Sequence, residues 1–235
     1  MLQYLSFKIL GHSQMNKHTL LFHSLLILSS AIFCQKSIAE PLNIDEYKIQ
    51  LKKYHDSGAY HKEISQITYQ IEQYIKEKAK NPQEKYAIVL DIDETCLSNY
   101  YNIVERDFSG DREAIHRDIL KANAKAIPAS RHLFQFAKAH HVDIFFITGR
   151  YESEKQATIK NLSEQGFQGW TDIFFKPKQN QPSNPSLENY KVSARKQLAQ
   201  KGYTILASVG DQESDLKGGY ALKTFKLPNP FYKAV

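Results

Sequence analysis

The stretch YAIVLDIDET, residues 86–95, decides the fold and places the first candidate site. Its first half, residues 86–90, is a continuous apolar run, which is typical of a strand buried on both faces of a parallel sheet. In such sheets ligands bind beyond the carboxyl ends of the strands, where Asp91 and Asp93 follow. If the strand continues to Asp93, the two carboxylates project in one direction, since strand residues two apart share a face. They would repel each other, and a divalent cation would relieve that repulsion.

Apolar runs alternate with helical patterns along the rest of the chain. Further strands are predicted at residues 142–147, 173–175, 204–209 and 224–227. Apolar residues at helical spacing predict helices at residues 113–125, 130–140, 152–165 and 189–201. This alternation predicts an α/β fold with a doubly wound parallel sheet.

Other segments flank or interrupt the alternation. Residues 42–80 have apolar residues three and four apart and a break near Ser57-Gly58, which predicts two helices forming an N-terminal extension within residues 40–82. Residues 176–185, KPKQNQPSNP, predict a loop. The interval 99–129 is too short for a large cap domain. Within it, Tyr100 and Tyr101 either pack in the core or wall a substrate pocket, and Cys96 just before it is expected to be a small buried hydrophobe.

Polar clusters follow two more of the predicted strands, at 148–150 (TGR) and 210–215 (GDQESD). Asp211 and Asp215 would complete an oxygen-rich site suited to Mg²⁺. The Thr148 hydroxyl can hold a phosphoryl oxygen, and Gly149 lets the backbone approach closely. Lys191 is the first candidate for the positive charge that balances a transferring phosphoryl group, with Lys176 and Arg195 as rivals.

Four short motifs carry a resemblance to a known family. DIDET (91–95), ITGR (147–150), YK (190–191) and GDQESD (210–215) resemble, in order and spacing, the motifs of the haloacid dehalogenase (HAD) superfamily. DIDETCLSN, YKVSARKQLAQKGY, GDQESDL and FKLPNPFY further resemble its acid phosphatase subfamily IIIB, which contains class C bacterial acid phosphatases and plant vegetative storage proteins. The resemblance extends from about Leu42 to the end of the chain.

The resemblance implies a role for each matching residue. Asp91 is the nucleophile that forms an aspartyl-phosphate, Asp93 is the general acid/base, and Thr148 and Lys191 hold and neutralise the phosphoryl group. Mg²⁺ takes a carboxylate oxygen of Asp91 and the backbone carbonyl of Asp93. Asp211 and Asp215 complete the metal site, and which of them touches the ion directly is left open. A raised pKa is expected for Asp93, which an acid catalyst needs.

The substrate class that follows is small phosphate monoesters. A nucleotidase of the same fold is one alternative, and an inactive storage or binding relative is another. The nucleophile Asp91 argues against the inactive relative. The oligomeric state and the natural substrate are left open.

The first 39 residues are typical of a signal peptide. The uncharged apolar segment 20–34 follows Lys17, and Ser37-Ile38-Ala39 suits cleavage before Glu40. A phosphatase domain at 40–235, exported to the periplasm or secreted, is therefore predicted, with translation starting at Met1 or Met15. A retained membrane anchor is the alternative. Removing the leader takes away three lysines and no acidic residue, which lowers the net charge from +6 to +3. The chain has no Lys/Arg run longer than two residues and no interleaving of aromatic and basic residues, so a nucleic-acid polymer is not expected as partner.

Overall fold

The structure, a computed structural model, describes residues 41, 43–177 and 185–234. The predicted signal peptide and most of the predicted loop at 176–185 lie outside the described residues. In the described part of the chain, no helix is long and apolar enough to cross a membrane.

Helices and strands alternate along the chain as predicted. The helices are α1 Ile44–Asp56, α2 Ala59–Lys78, α3 Tyr100–Glu105, α4 Arg112–Lys121, α5 Pro128–Ala139, α6 Lys155–Glu164, α7 Leu187–Gln200 and α8 Glu213–Leu216, with a 3₁₀ turn at Glu152–Glu154 before α6. The strands are β1 Lys85–Leu90, β2 Leu97–Ser98, β3 Lys125–Ala126, β4 Asp143–Tyr151, β5 Asp172–Lys176, β6 Tyr203–Gly210 and β7 Lys223–Lys226.

The main sheet has the order β5-β4-β1-β6-β7, and its neighbouring strands are all parallel. Alternate residues of β1 face opposite sides of this sheet. Ile88 and Leu90 belong to the core that includes the inner sides of α2 and α5. Ala87 and Val89 belong to a second core formed with α7. Helices therefore cover both faces, and the predicted doubly wound α/β fold is confirmed.

The break between the first two helices is confirmed at Gly58, which separates α1 from α2. Its φ of 80° lies in the left-handed region, which glycine adopts without a steric penalty. A glycine at this position can therefore end α1 and begin α2 without strain.

The segment between β1 and β4 is small, as predicted. Its helix ends at Lys121, short of the predicted end at 125, because Lys125–Ala126 pairs with Leu97–Ser98 as an antiparallel two-stranded sheet. Ala122 turns the chain out of α4 with a φ of 52°. We call residues 97–126, from β2 to β3, the insertion. The insertion consists of short elements, and it forms one wall of the cavity described below.

Two strands end elsewhere than predicted. The expectation that β1 continues to Asp93 is wrong, because the regular strand ends at Leu90 and the Ile92 carbonyl accepts hydrogen bonds from the turn that follows. In contrast, β4 continues past the predicted end at 147 to Tyr151, with an irregular register between Ile147 and Tyr151. The TGR motif is therefore part of a strand.

Candidate active site

The carboxyl ends of β1, β4 and β6 meet at a cavity of about 610 Å³. The residues of the predicted site that line it are Asp91, Asp93, Gly149, Lys191 and Asp211. Parallel strands bring their carboxyl ends to one edge, so residues more than a hundred positions apart in sequence meet there. The insertion lines the opposite side of the cavity with residues of α3, α4 and the segment between them.

Of the two predicted reactive groups that follow β1, Asp91 is the more enclosed. Its backbone N–H donates to the Val209 carbonyl at 2.9 Å, which extends the pairing of β1 with β6 by one residue. Its carboxylate accepts a hydrogen bond from Lys191 Nζ at 2.7 Å. Lys191 reaches it from the first turns of α7 with a side chain only 3% exposed.

Lys191 also donates to Asp215 and so lies between two carboxylates. Burial by itself would lower the pKa of Lys191, but Asp215 and Asp91 outweigh that effect and raise it above the ordinary value. The lysine is therefore a fixed positive charge. Of its two rivals, Arg195 donates to backbone carbonyls of Asp215 and Gly219, and Lys176 lies on the cavity wall farther out.

Burial raises the pKa of Asp91 well above its ordinary value. Lys191 opposes this shift, whereas the neighbouring carboxylates of Asp215, Asp211 and Asp93 add to it. One lysine does not balance so many carboxylates, and a further cation would keep Asp91 ionised.

Asp93 lies beside Asp91 in the cavity but has a different set of partners. Arg150 Nη2 donates to its Oδ1 at 2.7 Å and Arg150 Nε to its Oδ2 at 3.0 Å, while Asn99 Nδ2 donates to Oδ1 at 2.7 Å. Burial would raise the pKa of Asp93, but Arg150 and Asn99 outweigh it and bring the pKa below the ordinary value. The expectation of a raised pKa is therefore wrong, because it lacked the contact with Arg150.

Three carboxylates, those of Asp91, Asp211 and Asp215, present oxygens that all lie within 4.8 Å of one another. Burial and the nearby Asp215 raise the pKa of Asp211 to about 6. An all-oxygen set with excess negative charge is the donor chemistry that Mg²⁺ prefers. These residues therefore fit a divalent hard cation.

Asp211 and Asp215 are held in different ways. Asp211 Oδ2 accepts from Asn229 Nδ2 at 2.7 Å, and its Oδ1 has a long contact of 3.5 Å with the Thr95 hydroxyl. Asp215 uses one oxygen for Lys191 and the other for the Gln212 backbone N–H at 2.9 Å. Of the four carboxylate oxygens of these two residues, Asp211 Oδ1 therefore has the longest and weakest hydrogen bond.

Glycine at position 210 is required by the place of Asp215. A Cβ added to Gly210 would overlap the Asp215 carboxyl group.

Gly149 lines the cavity, as its predicted role requires. The Thr148 hydroxyl, in contrast, is fully buried and accepts a hydrogen bond from the Arg150 backbone N–H at 3.1 Å.

Four polar side chains of the site are not predicted as functional from the sequence: Arg150, Asn99, Glu94 and Asn229. Arg150 is two residues after Thr148 in β4, so the period of a strand could have placed both on one side. Asn99 is held by Glu94, whose Oε1 accepts its backbone N–H at 2.6 Å. Glu94 and Asn229 gain their roles from turns that sequence patterns do not describe.

The tyrosines of the insertion do not line this cavity. Tyr100 is buried and stacks on His55 with ring centroids 3.4 Å apart, and its hydroxyl donates to Asp56. Tyr101 is exposed. Core packing is therefore the correct alternative for Tyr100. The aromatic residues that line the cavity are instead Phe108, Tyr151, Phe231 and Tyr232.

Cys96 is confirmed as a buried hydrophobe. Its thiol is fully buried, and burial raises its pKa well above the ordinary value. Such a thiol is not a nucleophile at neutral pH.

Comparisons with known proteins point to one family. The model of HAD superfamily subfamily IIIB (acid phosphatase) matches residues 23–235. The chain is 31% identical over 186 residues to the stem 28 kDa glycoprotein of Glycine max, covering 77% of this chain and 72% of that protein. It is 28% identical over 186 residues to acid phosphatase 1 of Solanum lycopersicum, with the same coverage of 77% and 72%. Among solved structures, the class C acid phosphatase from Bacillus anthracis has a similar fold, with a TM-score of 0.66 and 24% identity over 82% of this chain and 87% of that one.

Proposed function

The chain belongs to subfamily IIIB of the HAD superfamily, the acid phosphatases, and from this membership we propose that it hydrolyses small phosphate monoesters through an aspartyl-phosphate on Asp91, with Mg²⁺ bound. Membership makes the protein a phosphomonoesterase and confirms the resemblance stated for its motifs. The observation that supports the proposed chemistry best is the pairing of Asp91 with Lys191 at 2.7 Å, both facing the cavity beside Asp93.

In the first step, an oxygen of Asp91 attacks phosphorus and the bond from phosphorus to the ester oxygen breaks. Asp93 gives a proton to the departing oxygen, so an alcohol leaves and the phosphoryl group stays on Asp91. Lys191 stands beside the attacking carboxylate, where it neutralises charge on the phosphoryl oxygens. Gly149 lets the β4 backbone approach the same oxygens, and the buried Thr148 hydroxyl holds that backbone in place.

In the second step, Asp93 is a carboxylate and accepts a proton from a water molecule. The water oxygen attacks phosphorus, the bond to Asp91 breaks, and inorganic phosphate leaves. Arg150 suits this second step, because it favours the ionised form of Asp93. The first step needs the protonated form, which is abundant only at low pH, and we therefore expect an acidic optimum.

Mg²⁺, when bound, supplies the positive charge that balances the carboxylates and the phosphoryl oxygens. Asp91 and Asp211 would hold it by carboxylate oxygens, and the Asp93 backbone carbonyl is the third protein group that the family resemblance implies. Asp215 is proposed to act through water, because both of its oxygens already have partners in Lys191 and Gln212.

Export is part of the proposal. The apolar segment at 20–34 and the small residues before Glu40 support a signal peptide at 1–39 and a mature enzyme of residues 40–235. Such an enzyme would meet substrates outside the cytoplasm, in the periplasm or the medium.

The test is an assay of the purified protein against 4-nitrophenyl phosphate, nucleotides and sugar phosphates between about pH 4 and 8, with and without Mg²⁺. Chelation should abolish turnover and Mg²⁺ should restore it. Rapid quench should show phosphate on the peptide containing Asp91, and Asp91→Asn should carry none. Full turnover by the metal-stripped protein, or label on a histidine or serine, would refute the mechanism. Strict preference for nucleotides would favour the nucleotidase alternative.

A further inference from the structure

The outer part of the cavity has two cations on one tyrosine ring. Arg112, at the start of α4, places its guanidinium carbon 4.2 Å from the centroid of the Tyr151 ring. Lys176, at the end of β5, places Nζ 6.0 Å from the same centroid. All three residues line the cavity that contains Asp91 and Lys191.

Both cations keep hydrogen-bond donors that no carboxylate of the described residues engages. Arg112 binds the buried Glu154 through Nη2 alone, at 2.9 Å to each oxygen, and so keeps Nε and Nη1 for another partner. Lys176 has no carboxylate at ion-pair distance among the residues that the structure describes. The sequence from 177 to 187 contains no acidic residue either. Burial and the nearby Arg112 both lower the pKa of Lys176, as expected where like charges meet.

An anion between Arg112 and Lys176 would relieve their repulsion and use the free donors of both. Arg112 and Lys176 line the same cavity of about 610 Å³ as Asp91, so one bound molecule can reach both places. Such a molecule needs two anionic groups joined by several atoms, such as the two ends of a hexose.

We propose that Arg112 and Lys176 form a second anion subsite that selects phosphate monoesters carrying another anionic group, a phosphate or a carboxylate, several atoms from the phosphate that is cleaved. The inference rests on the proposed function, since the second group is recognised while the first is cleaved at Asp91. Arg112 and Lys176 would thereby be specificity-determining residues.

The experiment compares matched substrates that differ in one anionic group. 6-Phosphogluconate is compared with glucose 6-phosphate for the carboxylate, and fructose 1,6-bisphosphate with fructose 6-phosphate for the phosphate. The purified protein should show a higher kcat/KM for the member that carries the second anionic group in at least one pair. In Lys176→Gln that preference should fall by about tenfold, the order expected for one partly exposed charged hydrogen bond. In Lys176→Glu it should fall further, and Lys176→Arg should retain it.

Lys196 provides the matched control, because it is exposed on α7 and does not line the cavity. Lys196→Gln and Lys196→Glu change the net charge equally and should leave the preference as it is. Two results would overturn the subsite while hydrolysis of 4-nitrophenyl phosphate continued. One is an equal kcat/KM for both members of each substrate pair in the unmodified protein. The other is an equal change of that preference on substitution at position 176 and at position 196. Absence of all turnover would overturn the proposed function, and the subsite with it.

Discussion

Replacing Asp93 by asparagine distinguishes the role of Asp93 from that of Asp91, the other catalytic carboxylate proposed in the DIDET motif. The carboxylate of Asp93 accepts hydrogen bonds from Arg150 and Asn99. An asparagine keeps one acceptor oxygen and turns the other into an NH₂ group that faces those donors. Because the Asp93 side chain is 23% exposed, the pair with Arg150 is partly screened, and we expect the substitution to cost about 1–3 kcal/mol of stability. The variant should therefore still fold.

The effect on catalysis should depend on the leaving group. Asp93→Asn keeps the attacking carboxylate of Asp91 but cannot protonate the departing oxygen. General acid catalysis is worth about 10²- to 10⁴-fold, so formation of the phosphoenzyme from an alkyl phosphate should slow by that factor. An activated aryl phosphate needs little protonation and should be affected far less.

The measurement must isolate the first step, because the variant also lacks the base for the second. Rapid-quench bursts of alcohol release from 4-nitrophenyl phosphate and glucose 6-phosphate give the rate of phosphorylation for each substrate. Asn99→Ala is the control, since it removes a partner of Asp93 but leaves the carboxylate. An equal loss of rate for the two substrates in Asp93→Asn would refute the assignment of Asp93 as the acid.

Three further predictions follow from the same geometry. The pKa of Asp211 is raised to about 6, above the ~3.9 of an unfolded aspartate. Between these two pH values, folding of the metal-free protein takes up a proton. The free energy of unfolding should therefore rise by up to about 3 kcal/mol as the pH falls from about 7 to about 4. Urea unfolding at a series of pH values should show this rise, and saturating Mg²⁺ should remove it. Gly210→Ala should displace Asp215 and reduce kcat at least tenfold, whereas Gly202→Ala, whose Cβ meets nothing within 4 Å, should cost only about 1 kcal/mol of backbone strain and keep its activity. N-terminal sequencing of exported protein should begin at Glu40, and a membrane-bound chain that retains residues 20–34 would contradict the cleavage site.

Much of the fold follows from local patterns. The apolar run at 86–90 becomes the central strand β1, and the other runs become the strands parallel to it in the same sheet. Gly58 marks the break between α1 and α2 in the sequence as it does in the structure. These features depend on the spacing of apolar residues and on backbone preferences, which are properties of short segments.

The sequence also predicted some of the side chains that meet at the site. Asp91, Gly149 and Asp211 all follow apolar runs, and parallel strands with helical crossovers bring their carboxyl ends to one edge. Lys191 lies on a helix and was one of three candidates for the balancing positive charge, until the resemblance of its motif favoured it over Lys176 and Arg195; its pairing with Asp91 spans 100 residues.

The tertiary structure alone decided how these groups are charged and which oxygens are free. The pKa of Asp93 is lowered because Arg150, 57 residues away in sequence, reaches it in the cavity. Asp211 rather than Asp215 keeps a weakly engaged carboxylate oxygen, because Lys191 and the Gln212 backbone already engage Asp215. The physical reason is that burial and Coulomb interaction depend on distances through space and on the exclusion of water. Neither quantity is a property of a short segment, so only part of the candidate site could be predicted from the sequence, and the protonation and partners of its residues could not.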